Sequence, residues 1–190
     1  MKETYLCKLD EYFAPEDLEW RVQSKGISKS SGKPWAQVLV YVTSRAVQNR
    51  LDSVCGKGGW TSEIKKLDGG AYTCRLSIWV ESVDKDNGQI ITGTGRWVSK
   101  EDGADETNIE ATKGGISGAI KRAAVQWGIG RYLYEFGESW ATFGEKENCK
   151  FSFKDNETKQ TYFWNPPAIP AWALHENQKK REYRLVSQIN

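Results

Sequence analysis

Between Ser117 and Tyr134 the chain reads SGAIKRAAVQWGIGRYLY, which sets two adjacent cations among small and apolar residues and then breaks at Gly128-Ile129-Gly130. Ile116, Ala119, Ile120, Ala123, Ala124 and Trp127 recur at the three-and-four spacing of one buried helical stripe. Lys121 and Arg122 fall off that stripe, and Lys113, Ser117 and Lys121 share a row at four-residue steps. Gly114, Gly115 and Gly118 each cost about 1 kcal/mol against alanine inside a helix, so close approach of another backbone or of a ligand is the reason to keep them. Thr107-Asn108-Ile109-Glu110 fits a capping box and predicts the helix start. A cationic pair in so plain a setting suits a surface that holds phosphate without the side chains of a catalyst. The same residues fit equally an amphipathic helix with two solvated cations.

The rest of the chain reads as strands around a second helix. Ala14–Arg21 suggests a short helix with Pro15 in its first turn and acids near its start. Ser24–Pro34 is a loop carrying Lys25, Lys29 and Lys33, and reads most simply as a solvated hairpin tip. Trp35–Thr43 is β-branched and apolar enough for a strand. Ser44 then caps a helix whose Ala46, Val47, Arg50, Leu51 and Val54 share a face, and Gly56 ends it. Three strands follow: Trp60–Leu67, a turn at Asp68-Gly69-Gly70, a strand with Tyr72, Cys74, Leu76, Ile78 and Val80 facing inward, a turn at Asp84–Gly88, and Ile90–Ser99. The order strand, helix, three antiparallel strands, helix (βαβββα) predicts an α+β fold with an antiparallel sheet packed by helices.

After Gly137 the character changes. Cys149–Phe153 and Thr161–Trp164 predict a hairpin around Asp155-Asn156-Glu157-Thr158, and a Pro-stiffened segment leads to Ala171-Trp172-Ala173-Leu174. The division expected is a core domain over 1–137, a β-hairpin and Pro-rich extension packed on it over 138–174, and a basic, mobile tail over 175–190.

With 190 residues the chain can bury a real core, and its net charge of +2 is too mild to imply nucleic acid by itself. The distribution says more: residues 21–75 carry a balance of +7 between flanking blocks of −4, and 107–134 return to +3. Alternating blocks can build a basic groove beside an acidic face, or interlock neighbouring subunits. The four cysteines are scattered and there is one histidine, His175, so neither a zinc site nor a disulfide framework is suggested. No signal-like or membrane-spanning run is present, which predicts a soluble, cytoplasmic protein with no membrane partner. Nine tryptophans suggest core or subunit contacts, and any on the basic surface could stack on bases.

No phosphate-binding loop of the GxxxxGK[ST] kind is present, which argues against ATP-driven action, and no cofactor is expected. Nucleophilic catalysis lacks a base, the sole histidine standing near the tail. Glu101, Asp102, Asp105 and Glu106, expected between the third strand and the long helix, are the one catalytic candidate, since nucleases hold two metals with such carboxylates. Asp105 and Glu106 also suit the positive end of the coming helix, and Gly103 a turn.

Three blocks carry a resemblance: Tyr41–Trp60 (YVTSRAVQNRLDSVCGKGGW), Gly95–Gly103 (GRWVSKEDG) and Ala119–Tyr134. They resemble the Rad fifty-two superfamily of single-strand annealing proteins, in its bacterial and phage branch of DdrA- and Sak-type members. The likeness covers roughly residues 12–135, and Pro166–Leu174 is similar to a C-terminal motif of the DdrA type. The resemblance implies an oligomeric ring or arc of βαβββα subunits with single-stranded DNA in an outer basic groove, its bases exposed for pairing and no ATP used. On the match, Lys121 and Arg122 correspond to the pair that binds the DNA backbone, and Arg21 to an arginine near the same strand. Lys100 and Lys113 are weaker candidates for a second, duplex-binding site. Two departures stand out: Val125 replaces a cation found in eukaryotic members, and Gly118 replaces an acid found in many.

A repeated cationic track offsets the repulsion between two strands, and it must ignore sequence if bases are to pair freely. The expected function is therefore ATP-independent, sequence-indifferent annealing in DNA repair or phage recombination. Alternatives are a protein that protects DNA ends or loads a recombinase, with a recombinase or single-strand-binding protein as partner, a metal-dependent nuclease, and an oligomer whose basic blocks bind only its neighbours.

Overall fold

Tyr72, Cys74, Leu76 and Ile78 alternate with polar residues, and the strand they make, β4 (Tyr72–Val83), is the centre of a three-stranded antiparallel sheet. In this computed structural model, which describes residues 5–84, 86–106 and 110–174, β3 (Trp60–Lys66) and β5 (Ile90–Ala104) flank it. The register runs from Lys66↔Tyr72 to Trp60↔Ile78 on one side and from Tyr72↔Ala104 to Val83↔Ile90 on the other. Turns fall at the expected places: Leu67 N–H donates to the Ala71 carbonyl at 2.8 Å, and Asp84 N–H to that of Gln89 at 2.8 Å.

The long helix, α2 (Ala111–Gln126), packs on β4 and β5. Its glycines answer to that packing: the Tyr72 ring lies against Gly115, and a Cβ on Gly118 would come within 2.9 Å of the Ala104 Cβ. The close approach inferred from the sequence is thus to the sheet beneath. The fully buried positions are Ala119, Ala123 and Ala124, while Ile116, Ile120 and Trp127 are half-buried. The helix also starts later than the capping box predicts. Glu110 precedes its first residue in a left-handed conformation (φ 49°) and makes no side-chain cap; Thr107–Ile109 lie outside the described residues.

The chain gathers into two units that are not consecutive in sequence. The first comprises the chain up to Tyr12 and Val42–Arg131, and holds β3–β5, α2 and α1 (Ser44–Cys55). Thr43 caps α1, its Oγ1 accepting the Ala46 N–H at 3.0 Å, one residue earlier than the sequence suggests. Ala46, Val47 and Leu51 are buried as expected. Arg50, on the same face, donates to the carbonyls of Lys8, Glu11 and Tyr12 at 3.1, 2.6 and 3.3 Å.

The second unit comprises Phe13–Tyr41 and the chain from Tyr132 onward, and contains two further three-stranded sheets. Here the short helix expected over Ala14–Arg21 is replaced by a 3-10 turn at Pro15–Asp17 and a strand, β1 (Leu18–Ile27). Exposure alternates residue by residue along β1, and Trp20 and Val22 pack against the buried Ala36 and Val38; that two-residue period overrides the helix signal. Strand β2 (Pro34–Val42) lies between β1 and β6 (Ser139–Trp140), with Gln37↔Trp140 and Val38↔Ser139 paired. The first strand of the expected βαβββα order therefore belongs to a sheet of its own, apart from the three-stranded meander.

The hairpin of β8 (Phe151–Lys154) and β9 (Thr161–Asn165) forms as predicted, extended by β7 (Thr142–Gly144). Phe153 and Trp164 complete the core around Ala36 and Val38. Trp172 of the Pro-rich segment meets Phe136 edge-on at 5.3 Å, and Phe136 meets Trp20 at 6.2 Å. The architecture is α+β with antiparallel sheets throughout; the expected tail, 175–190, lies outside the described residues. Among the described residues no helix is long and apolar enough to cross a membrane.

Candidate nucleic-acid interface

The buried alanines of α2 fix which side of the helix faces the sheet, and Arg122 is left with 54% of its side chain exposed. Lys121, next to it, is half-buried. Lys113 lies two turns earlier on the same helix, 78% exposed, with its ammonium 3.1 Å from Glu110. One helix thus carries Lys113, Lys121 and Arg122, all of them candidates on sequence grounds.

Arg122 is anchored. Its Nε donates to Asp102 Oδ1 on β5 at 3.0 Å, and the same oxygen accepts the Gly103 N–H at 2.7 Å. Burial pulls the Asp102 carboxyl up, but the Gly103 N–H and the Arg122 guanidinium outweigh it and hold its pKa below the usual carboxylate value. An open cleft of about 390 Å³ lies beside Arg122, lined by Leu67, Tyr72, Thr73, Gly103 and Ala104 among others.

Lys100 is used by the fold. Its Nζ donates to the Gln126 carbonyl at 2.7 Å and stands 4.5 Å over the Trp127 ring, so it satisfies a carbonyl at the end of α2. Arg131 does the same, donating to the carbonyls of Val125 and Gln126 at 3.0 and 2.9 Å. Arg21 stands in the second unit, exposed on β1. Burial raises the Tyr41 hydroxyl pKa there, with the Arg21 charge pulling it back and Tyr134 adding to the rise, so these three side chains share a neighbourhood. Tyr134 is 70% exposed, although nothing in its spacing distinguishes it from a core aromatic.

The acidic cluster does not converge. Glu101 and Asp102 belong to β5, which runs past the expected end at Ser99 to Ala104, and neighbours on a strand point to opposite faces. Glu101 accepts Arg75 Nε at 3.1 Å, Asp102 accepts Arg122, and Glu106 lies 2.9 Å from the Lys66 ammonium. Among the described residues no three metal-ligating side chains come together. Across the outer face of the sheet Arg75 also reaches Glu63 at 3.4 Å, Ser77 and Ser99 share a 2.8 Å hydrogen bond, and Trp79 meets Trp97 edge-on at 5.7 Å.

Helix α2 with its cationic pair, β5 and the α1–β3 turn lie within a stretch, residues 2–150, that matches the family model described as Rad52/22 family double-strand break repair protein. Two relatives are each named single-stranded DNA-binding protein DdrA. The one from Deinococcus deserti is 30% identical over 76% of this chain and 59% of its own length; the one from Deinococcus radiodurans is 37% identical over 76% and 57%. The chain thus spans less than two thirds of these relatives. With most of its length matched, the chain belongs to the Rad52/22 family of double-strand break repair proteins.

Proposed function

We propose that this protein binds single-stranded DNA without regard to sequence and anneals complementary strands, without ATP, in DNA repair or phage recombination. The observation that carries the reading is the Lys121–Arg122 pair on α2, with Arg122 more than half exposed on a helix whose other side is buried alanine. Such a pair offers charge and hydrogen bonds to phosphate, and contacts to phosphate carry no sequence information, which suits binding that must ignore sequence. Family membership and relatives named for binding single-stranded DNA support it. In this reading Arg21 meets the same strand, residues 1–137 form the annealing core, and many copies in a ring or arc bind by avidity where one copy binds weakly. The protein acts as a binding protein rather than an enzyme, in the cytoplasm of a bacterial or phage-infected cell.

A second reading keeps the DNA contact and drops the annealing: protection of ends, or loading of a recombinase. It is favoured by the relatives' names, which specify binding and not pairing. Pairing of complementary oligonucleotides by wild type and by Lys121→Glu/Arg122→Glu, with the size distribution of both proteins, separates them. Fast pairing lost in a mutant that still assembles supports annealing through α2. Binding without pairing moves the assignment to protection or loading, and normal binding by the double mutant removes α2 from the interface.

A further inference from the structure

Arg122 is held through Nε by a carboxylate that is itself fixed. Asp102 Oδ1 takes both the guanidinium and the Gly103 N–H, at 3.0 and 2.7 Å. Beside it the helix and strand are tied twice more: Gln126 Nε2 donates to the Glu101 carbonyl at 2.7 Å, and Lys100 Nζ to the Gln126 carbonyl at 2.7 Å. Asp102 is 27% exposed at its side chain and Arg122 54%, so the guanidinium is the more open partner, at the edge of the cleft it shares with Thr73 and Gly103. Carboxylate and phosphate oxygens are equivalent ligands for a guanidinium: both accept its N–H groups in plane and both neutralise its charge. A fixed carboxylate on Nε therefore orders the fork while subtracting from the charge that a phosphate meets.

We propose that Asp102 is a positioning residue that sets how strongly Arg122 holds phosphate, ordering its fork through Nε and keeping the contact weak enough to release. The proposal rests on the DNA-binding reading above. An annealing or loading protein must let a strand shift until it is in register, and an ordered but weak contact serves that need. Spacing does not point to this pairing, because Asp102 and Arg122 stand 20 residues apart, one on a strand and the other on a helix.

The test is binding of an oligo-dT single strand across a salt series. Asp102→Asn keeps an oxygen for Nε and for the Gly103 N–H and removes the charge; Asp102→Ser removes the charge through a different side chain. Glu63→Gln is the control, since it deletes a carboxylate paired with Arg75 and Lys65 on the same sheet. Asp102→Asn is expected to tighten binding about five- to tenfold at low salt and to steepen the slope of log K against log salt by about 0.7. Asp102→Ser should move in the same direction. The gain should vanish when Arg122→Ala is added, and Glu63→Gln should give less than half of it.

A gain that survives Arg122→Ala, or that Glu63→Gln matches, reflects only the general field and overturns the proposal. So does an unchanged affinity and slope in Asp102 variants that unfold as cooperatively as wild type. If wild type fails to bind the oligonucleotide, the DNA-binding reading falls and this one with it. If wild type binds and the Asp102 variants do not respond, only the assignment to Asp102 falls.

Discussion

The ring of Tyr72 fills the space that a side chain on Gly115 would need: a Cβ built there would stand 2.5 Å from the ring's Cδ2. Alanine is the better helix former by about 1 kcal/mol, so an unobstructed Gly→Ala change in α2 would stabilise the protein. Tyr72 is only 5% exposed and cannot step aside. Gly115→Ala is therefore expected to destabilise by about 1–3 kcal/mol, seen as a lower midpoint in urea with an unchanged slope. A rise in the midpoint would mean that the ring and helix have room to separate.

Arg50 gathers three backbone carbonyls from the segment Tyr5–Asp10 and its continuation to Tyr12. Arg50→Ala leaves those acceptors without their cation and is expected to cost about 2–3 kcal/mol. Hydrogen exchange should localise the loss to residues 5–12 and α1. Arg50→Lys should recover only part of it, because one ammonium cannot reproduce the planar fork.

Lys100 tests whether a lysine picked as a nucleic-acid contact belongs to the fold. Lys100→Met removes the donor to the Gln126 carbonyl and the charge over Trp127. A loss of about 1–2 kcal/mol in stability is expected, with fraying at the end of α2. Unaltered stability would return Lys100 to the surface cations.

The thiols of Cys55 and Cys74 give a dependence on alkaline pH. Burial pushes each up to about 11, the Glu101 charge adding to the effect at Cys74. The folded state keeps these protons after the unfolded chain has released its own. The stabilisation is thus complete below the ordinary thiol pKa and lost as pH rises toward 11. Thermal melts between pH 8 and 11 should show the decline, and Cys74→Ala/Cys55→Ala should flatten it. Alkylation at pH 8 should leave Cys74, which is 0% exposed, unmodified in the native protein.

Periodicity and turn chemistry were enough to read β3, β4, α1, the turns at Asp68–Gly70 and Asp84–Gly88, and the β8–β9 hairpin. Each of these is decided locally, by alternation or by residues that tolerate a turn. Pro15 with acids after it looks like a helix start, whereas β1 is a strand whose Trp20 and Val22 pack against a cluster of Ala36, Val38, Phe153 and Trp164, the last two far along the chain. The cations of α2 were visible as a pair off the buried stripe. The fates of the candidate cations are not legible there: Lys100 on β5 is taken up by the end of α2 and Arg122 on α2 by a carboxylate 20 residues away, and both are long-range events that spacing does not encode.

Gly128 has a φ of +94°, and the Asp10 carboxylate lies where its side chain would be, while Arg50 grips the carbonyls just after. The first unit is therefore an interrupted domain, into which Phe13–Tyr41 is spliced. Cutting the gene at Val42 would not liberate it. To be made alone, it would need the segment up to Tyr12 grafted back through a short artificial bridge, and a library of deletions from the amino end should show solubility collapsing well before α1 is reached.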